Sequence, residues 1–174
     1  MSAGEAPIEI VPPDPAWPAR FEIERQALTL ALAPWLAGPV EHIGSTAVSG
    51  LPAKAVIDIM AGVASLAASR PAIEAAAALG YCYYPYRPDH EHWFCKPSPA
   101  FRTHHLHLVP FGSEQWRGAI AFRDYLRAHP ADAAEYAALK MQLAQRFRDD
   151  REAYTQAKSA FITRLTRTAL NAGG

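Results

Sequence analysis

A carboxylate set inside an apolar, β-prone run constrains this chain more than any other feature. Asp58 interrupts AVIDIMAGV between Ile57 and Ile59. Burying it unpaired would cost several kcal/mol, so it needs a cation, a donor or solvent. Strand alternation puts Val56, Asp58 and Met60 on one face and Ile57 and Ile59 on the other. The isoleucine face therefore reads as core, and the Asp58 face is expected to open on a cleft. A structural aspartate bound to arginine or to backbone N–H groups is the competing reading.

The neighbouring pattern says what surrounds that strand. VEHIGS is a second short strand, joined to the first by the polar connection STAVSGLPAK. EHWFCK and HHLHLV are two more, ended by Pro110 and Gly112. Ahead of them, IEIVPPDPAW is a short β-prone run broken by prolines, with Asp14 as the expected N-cap of a helix from Trp17. Phe21, Leu28, Leu32 and Trp35 mark the apolar face of that helix, until Pro34 and Gly38-Pro39 stop it. An alanine-rich helix is expected from Ser69 to Leu79, closed by Gly80. Beyond residue 112 the chain is helical: Ser113 caps a segment to about Leu126, and Tyr136, Leu139, Leu143 and Phe147 stripe the next. Asp149 and Asp150 start a last helix bearing Tyr154, Ala157, Phe161 and Leu165. The expected fold is α+β: a mixed sheet of about four strands flanked by helices, with the C-terminal helices packed on the sheet. At 174 residues this is one domain over 1–174, with a sheet-containing core at 1–112 and C-terminal helices at 113–170.

Charge narrows the partners. Seventeen Lys and Arg balance seventeen Asp and Glu, leaving no bulk positive field for a phosphate backbone, so nucleic acid is not expected as the main partner. No apolar run is long enough to span a bilayer, and the start MSAGEAPIEIVPPDP lacks the basic and apolar regions of a signal peptide. The expectation is a cytoplasmic protein without membrane contact, its Cys82 and Cys95 reduced.

Several polar residues fall at strand ends. Gly44-Ser45-Thr46 closes the VEHIGS strand in a turn whose free N–H groups suit an anionic oxygen, or in which Ser45 merely caps. Lys54 precedes the Asp58 strand, and Arg102 precedes HHLHLV. Five of the seven histidines lie between His90 and His107; alternation puts His105 and His107 on one strand face and His104 on the other. Such a pair can bind metal, donate to phosphate or serve as general base. Zinc would need further ligands, which His90, His92 and Cys95 supply only if EHWFCK lies beside HHLHLV. Gly44, Ser45, Lys54, Asp58, Arg102, His105 and His107 are expected to line one pocket. Arg123, Tyr125, Tyr136, Lys140, Tyr154 and Lys158 of the later helices either cover it or pack as ordinary amphipathic faces.

In VPPDPAWPARFEIER, EHIGSTAVSGLPAKAVIDI, RTHHLHLV, FRDYLRAHP, EYAALK and DDREAYTQAKSAFI the chain resembles the GrpB family over nearly its whole length. That resemblance implies a nucleotidyltransferase-like fold, in which a Gly-Ser turn holds a nucleotide triphosphate and two or three strand carboxylates hold divalent metal. By position it implies Gly44 and Ser45 as the Gly-Ser motif and Asp58 as the carboxylate that holds Mg²⁺; joined to the residue pattern above, the expected site has Gly44, Ser45, Thr46, Lys54, Arg102 and Lys140 for binding and Asp58, His105 and His107 for catalysis. The ligand would be a nucleotide or phosphorylated small molecule, and the reaction nucleotidyl transfer to a small-molecule acceptor. Met60 departs from this pattern, standing where a second carboxylate is expected. The family also resembles a domain fused to dephospho-coenzyme A kinase, which implies an alternative: a catalytically silent accessory or folding domain with a kinase or other protein as partner. A metal-dependent enzyme built on the histidine cluster, with Zn²⁺ less favoured than Mg²⁺, is the third reading.

Overall fold

Alternating apolar residues build the sheet, and the computed structural model, which describes residues 6–173, gives it five strands: β1 (Leu36–Ile43), β2 (Ile57–Val63), β3 (Cys82–Tyr84), β4 (His92–Pro97) and β5 (Arg102–Pro110). Residues 1–5 of the segment read for a signal peptide, and Gly174, lie outside the described residues. The order is β1-β2-β5-β4-β3, with β2 and β5 parallel and the other pairs antiparallel. This is the mixed sheet expected, plus the three-residue edge strand β3 that the pattern did not announce.

The helices are α1 (Trp17–Ala31), α2 (Ala72–Ala78), α3 (Glu114–Ala128), α4 (Pro130–Arg146) and α5 (Arg151–Ala172). No helix among the described residues is long and apolar enough to cross a membrane. Ile57 and Ile59 are buried with Leu28, Leu32, Ala76, Phe94, Leu106 and Leu108 in the main core, so the isoleucine face is core as expected, and α1 and α2 cover it. On the opposite face Trp116 of α3 packs against Ile43, Met60 and Val109. Val48 and Leu51 of the β1–β2 connection join Phe122, Leu126, Tyr136, Ala137 and Leu165, which ties α3, α4 and α5 to that connection. The alanine-rich helix is shorter than expected, because Ser69 spends its hydroxyl on the carbonyls of Ser65 and Leu66 in a preceding turn.

Three expectations need correction. Asp14 does not cap α1: the N-cap is Ala16, without a side-chain bond, and Asp14 Oδ1 instead accepts from the Ala16 N–H at 2.8 Å in the turn before it. Gly38-Pro39 does not merely stop the helix but lies inside β1, where the Phe111 ring occupies the space a Gly38 side chain would need. Met60 does not face a cleft; it is 1% exposed beneath Trp116, so only the Asp58 end of that strand face stays open.

Candidate functional site

Pairing register assembles the centre of the site. In β2 and β5 Asp58 stands opposite His105 and Met60 opposite His107, so strand alternation places both histidines on the Asp58 face. His105 Nδ1 lies 2.9 Å from Asp58 Oδ1, and His107 Nδ1 lies 2.6 Å from Glu91 Oε2. Glu91 is buried and also accepts from Gln115 of α3. Two histidine–carboxylate pairs thus stand side by side.

Burial pushes the Asp58 carboxyl up, but the His105 bond and the charges of His105, His107 and Lys54 outweigh it and hold it down at about 2. Burial lowers His105 in spite of Asp58. The pair is therefore carboxylate plus neutral imidazole, with Nδ1–H donating to Asp58. His105 Nε2, buried, has no hydrogen-bond partner among the described residues. At His107 burial also works downward, yet the Glu91 bond and charge prevail and raise it. The neighbours thus differ in proton affinity, as an acid and a base must.

The turn after β1 abuts Asp58. Gly44 has φ 71° and ψ −169°, backbone that is essentially restricted to glycine. A β-carbon there would stand 2.7 Å from Asp58 Oδ2. Ser45–Ala47 then form one short helical turn. Lys140 of α4 reaches across to Ser45 Oγ at 2.9 Å and to the Pro52 carbonyl. Thr46 is corrected: it is buried on the core side, bonded to His42 Nε2 at 2.9 Å, and faces away from the site.

Lysines gather at this turn. Lys54 and Lys158 lie 5.5 and 4.4 Å from the Tyr154 ring centroid, and Lys140 lies 4.7 Å from that of Tyr136. Burial and the ammoniums of Lys158 and Lys54 bring Lys140 down to about 7; burial and Lys54 bring Lys158 down to about 8. Tyr154 is fully buried with its hydroxyl lacking a partner among the described residues. Of the helical residues weighed as a cover, then, Tyr136, Lys140, Tyr154 and Lys158 join the site. Arg123 instead braces β1 through Glu41 and the His42 carbonyl, and Tyr125 bonds Asp132. The Arg102 guanidinium lies 5.3 Å over Trp93, and Arg102 shares with Lys54, Glu9 and Arg151 a cavity of about 180 Å³. Glu91 went unrecognised in the sequence, although its place two residues before Trp93 puts it in phase with Trp93 and Cys95.

β4 does lie beside β5, which is the condition set for a zinc site, but its residues are split between faces. His92 pairs with Leu108 and bonds the Leu66 carbonyl on the core side. Among the described residues no three His, Cys, Asp or Glu are grouped to hold a metal ion.

A family model described as GrpB protein matches residues 7–168. The chain belongs to the GrpB family. A UPF0157 protein of Pseudomonas aeruginosa is 41% identical over 176 residues, covering 98% of this GrpB chain and 71% of that protein. The crystal structure of GrpB from Enterococcus faecalis superposes with a TM-score of 0.85 at 36% identity, over 94% of this chain and 98% of that one. A longer protein named dephospho-CoA kinase, of Mycolicibacterium paratuberculosis, is 33% identical over 94% of this GrpB chain and 46% of its own length. A cytoplasmic RNA terminal U-transferase superposes with a TM-score of 0.52 at 13% identity, over 80% of this chain and 43% of that one. The fold is therefore nucleotidyltransferase-like, and at that identity the likeness concerns the fold alone.

Proposed function

We propose that this protein binds the phosphate chain of a nucleotide or related phosphorylated small molecule at the Gly44-Ser45 turn, with lysine ammoniums supplying the positive charge. The observation that carries this reading is the convergence of Lys54, Lys140 and Lys158 on a glycine-dependent turn, from three separate parts of the chain. Ammoniums at such a turn, that of Lys140 buried and those of Lys54 and Lys158 half-buried, are strong partners for phosphate oxygens.

The donor set does not fit a resident divalent metal. One Asp58 oxygen takes the His105 bond, the other lies against Gly44, Met60 fills the second position, and lysines crowd the carboxylate. A thioether is a poor ligand for a hard cation. No step is therefore assigned to Mg²⁺.

Calorimetry with tripolyphosphate and ATP tests the reading. Lys158→Ala and Lys140→Met are each expected to weaken binding by about tenfold or more, the usual scale of one charge-assisted hydrogen bond. Asp58→Asn is expected to leave tripolyphosphate affinity equal or raised; a loss that appears only with Mg²⁺ would restore the metal reading. No heat from either ligand at millimolar concentration would end the proposal.

For a transfer reaction the proton acceptor is His105 Nε2, held in its tautomer by Asp58. Pyrophosphate release from triphosphates with pooled acceptors should then fall at least a hundredfold in His105→Ala and Asp58→Asn. Binding without release supports the second reading, an accessory domain, which the relatives named dephospho-CoA kinase favour because this chain matches less than half of their length.

A further inference from the structure

The helices over the Asp58 face stop short of its far side. α3 covers Ile43, Met60 and Val109 through Trp116. Farther across the sheet, β4 presents Trp93 opposite His107, and β3 presents Tyr84 opposite Trp93, so all three share the Asp58 face. Tyr84 and Tyr86 are 55% and 61% exposed, and their ring centroids lie 6.3 and 6.4 Å from that of Trp93. Tyr83, next to Tyr84 but on the other face, packs against Phe94 at the main core. Among the described tyrosines the two most exposed are thus those whose rings lie by Trp93. A cluster of rigid rings with polar tips left in solvent marks a contact surface.

What adjoins the cluster decides its occupant. The Trp93 ring centroid is 5.1 Å from that of His105, and Nε2 of that imidazole is the atom left without a partner. A molecule bonded to the buried Nε2 would stand beside the Trp93 ring, over which the Arg102 guanidinium also lies at 5.3 Å. The phosphate turn lies at the opposite side of the dyad, on β1 and β2. We propose that Trp93, Tyr84 and Tyr86 form a platform for the planar ring of the second substrate, an aromatic compound bearing a hydroxyl or amino group. This rests on the phosphate-site reading above. In the step it serves, the acceptor oxygen or nitrogen bonds to the α-phosphorus while its proton passes to His105 Nε2. The bond from that phosphorus to the bridging oxygen breaks, and pyrophosphate leaves with the electron pair.

Phenol and indole titrated against the full chain by NMR test the platform, with cyclohexanol as the non-aromatic control. The Trp93 indole N–H resonance is identified by its loss in Trp93→Phe. Both aromatic probes should shift it, with cyclohexanol about tenfold weaker or worse, and Tyr84→Ser combined with Tyr86→Ser should weaken phenol by about tenfold, the scale of one ring stack. Saturating ATP should not displace phenol. Because both tyrosines stand in solvent, the double variant keeps its fold. Equal binding of phenol and cyclohexanol, or an unmoved Trp93 signal, overturns the platform. Displacement of phenol by ATP but not by tripolyphosphate gives the surface to a nucleobase and overturns the acceptor. A tripolyphosphate titration read separately, if silent while phenol still binds, defeats the phosphate-site reading and the acceptor role with it.

Discussion

At Gly44 two constraints meet: glycine-only backbone and a carboxylate oxygen where a side chain would go. Gly44→Ala should therefore cost about 1–3 kcal/mol in denaturant unfolding, the scale of one strained residue, and should weaken tripolyphosphate as the turn moves off Asp58. The lysines make a second prediction. Amines held at about 7 and about 8 are partly neutral at pH 8, and an arriving phosphate raises both, so binding must take up protons. Calorimetry at pH 8 in two buffers of different ionisation enthalpy should give different heats, whereas identical heats would contradict it. Without ligand the sign follows from depression of a base. The unfolded chain binds more protons between the folded values and about 10.5, so these lysines make stability rise with pH over that window. Asp58 was legible because a charge in an apolar strand demands an explanation. Lys158 was not distinguishable from an amphipathic surface residue, since its role depends on where α5 docks. Thr46 misled because the helical turn after Gly44 sends adjacent hydroxyls to opposite sides of the sheet.

Elements were readable where their ends carry chemistry. Ser113 and Asp150 cap α3 and α5 as expected, each accepting from a backbone N–H three residues on, and Ser113→Ala should cost about 1 kcal/mol in thermal or chemical unfolding. The edge strand β3 escaped because Cys82–Tyr84 is too short for alternation to register, and its pairing with β4 is a tertiary fact. Alternation assigned β2 its faces correctly but could not say that α3 would roof one of them. That roof bears on the missing second carboxylate. Met60→Asp would put a charge under Trp116 rather than into a metal site, so it should destabilise by about 3 kcal/mol or more without adding divalent-cation affinity. A gain of Mg²⁺ or Mn²⁺ binding in calorimetry would refute this.

For the molecule as a whole, balanced charge conceals an uneven distribution. The seventeen basic and seventeen acidic residues cancel in number, yet three lysines distant in sequence are brought to one turn, which no count could reveal. The connection from β2 to its parallel neighbour β5 runs through α2, β3 and β4, so the region bearing Trp93, Tyr84 and Tyr86 is one excursion from a sheet centre already closed by β1, β2 and β5. The bond from Lys140 to Ser45 spans 95 residues, and α5 supplies Tyr154 and Lys158 from still farther along the chain. A phosphate bridging these groups would act as a reversible cross-link. It should retard amide hydrogen exchange in α4 and α5 more than in β2, and raise the melting temperature in proportion to the logarithm of its concentration once that exceeds the Kd.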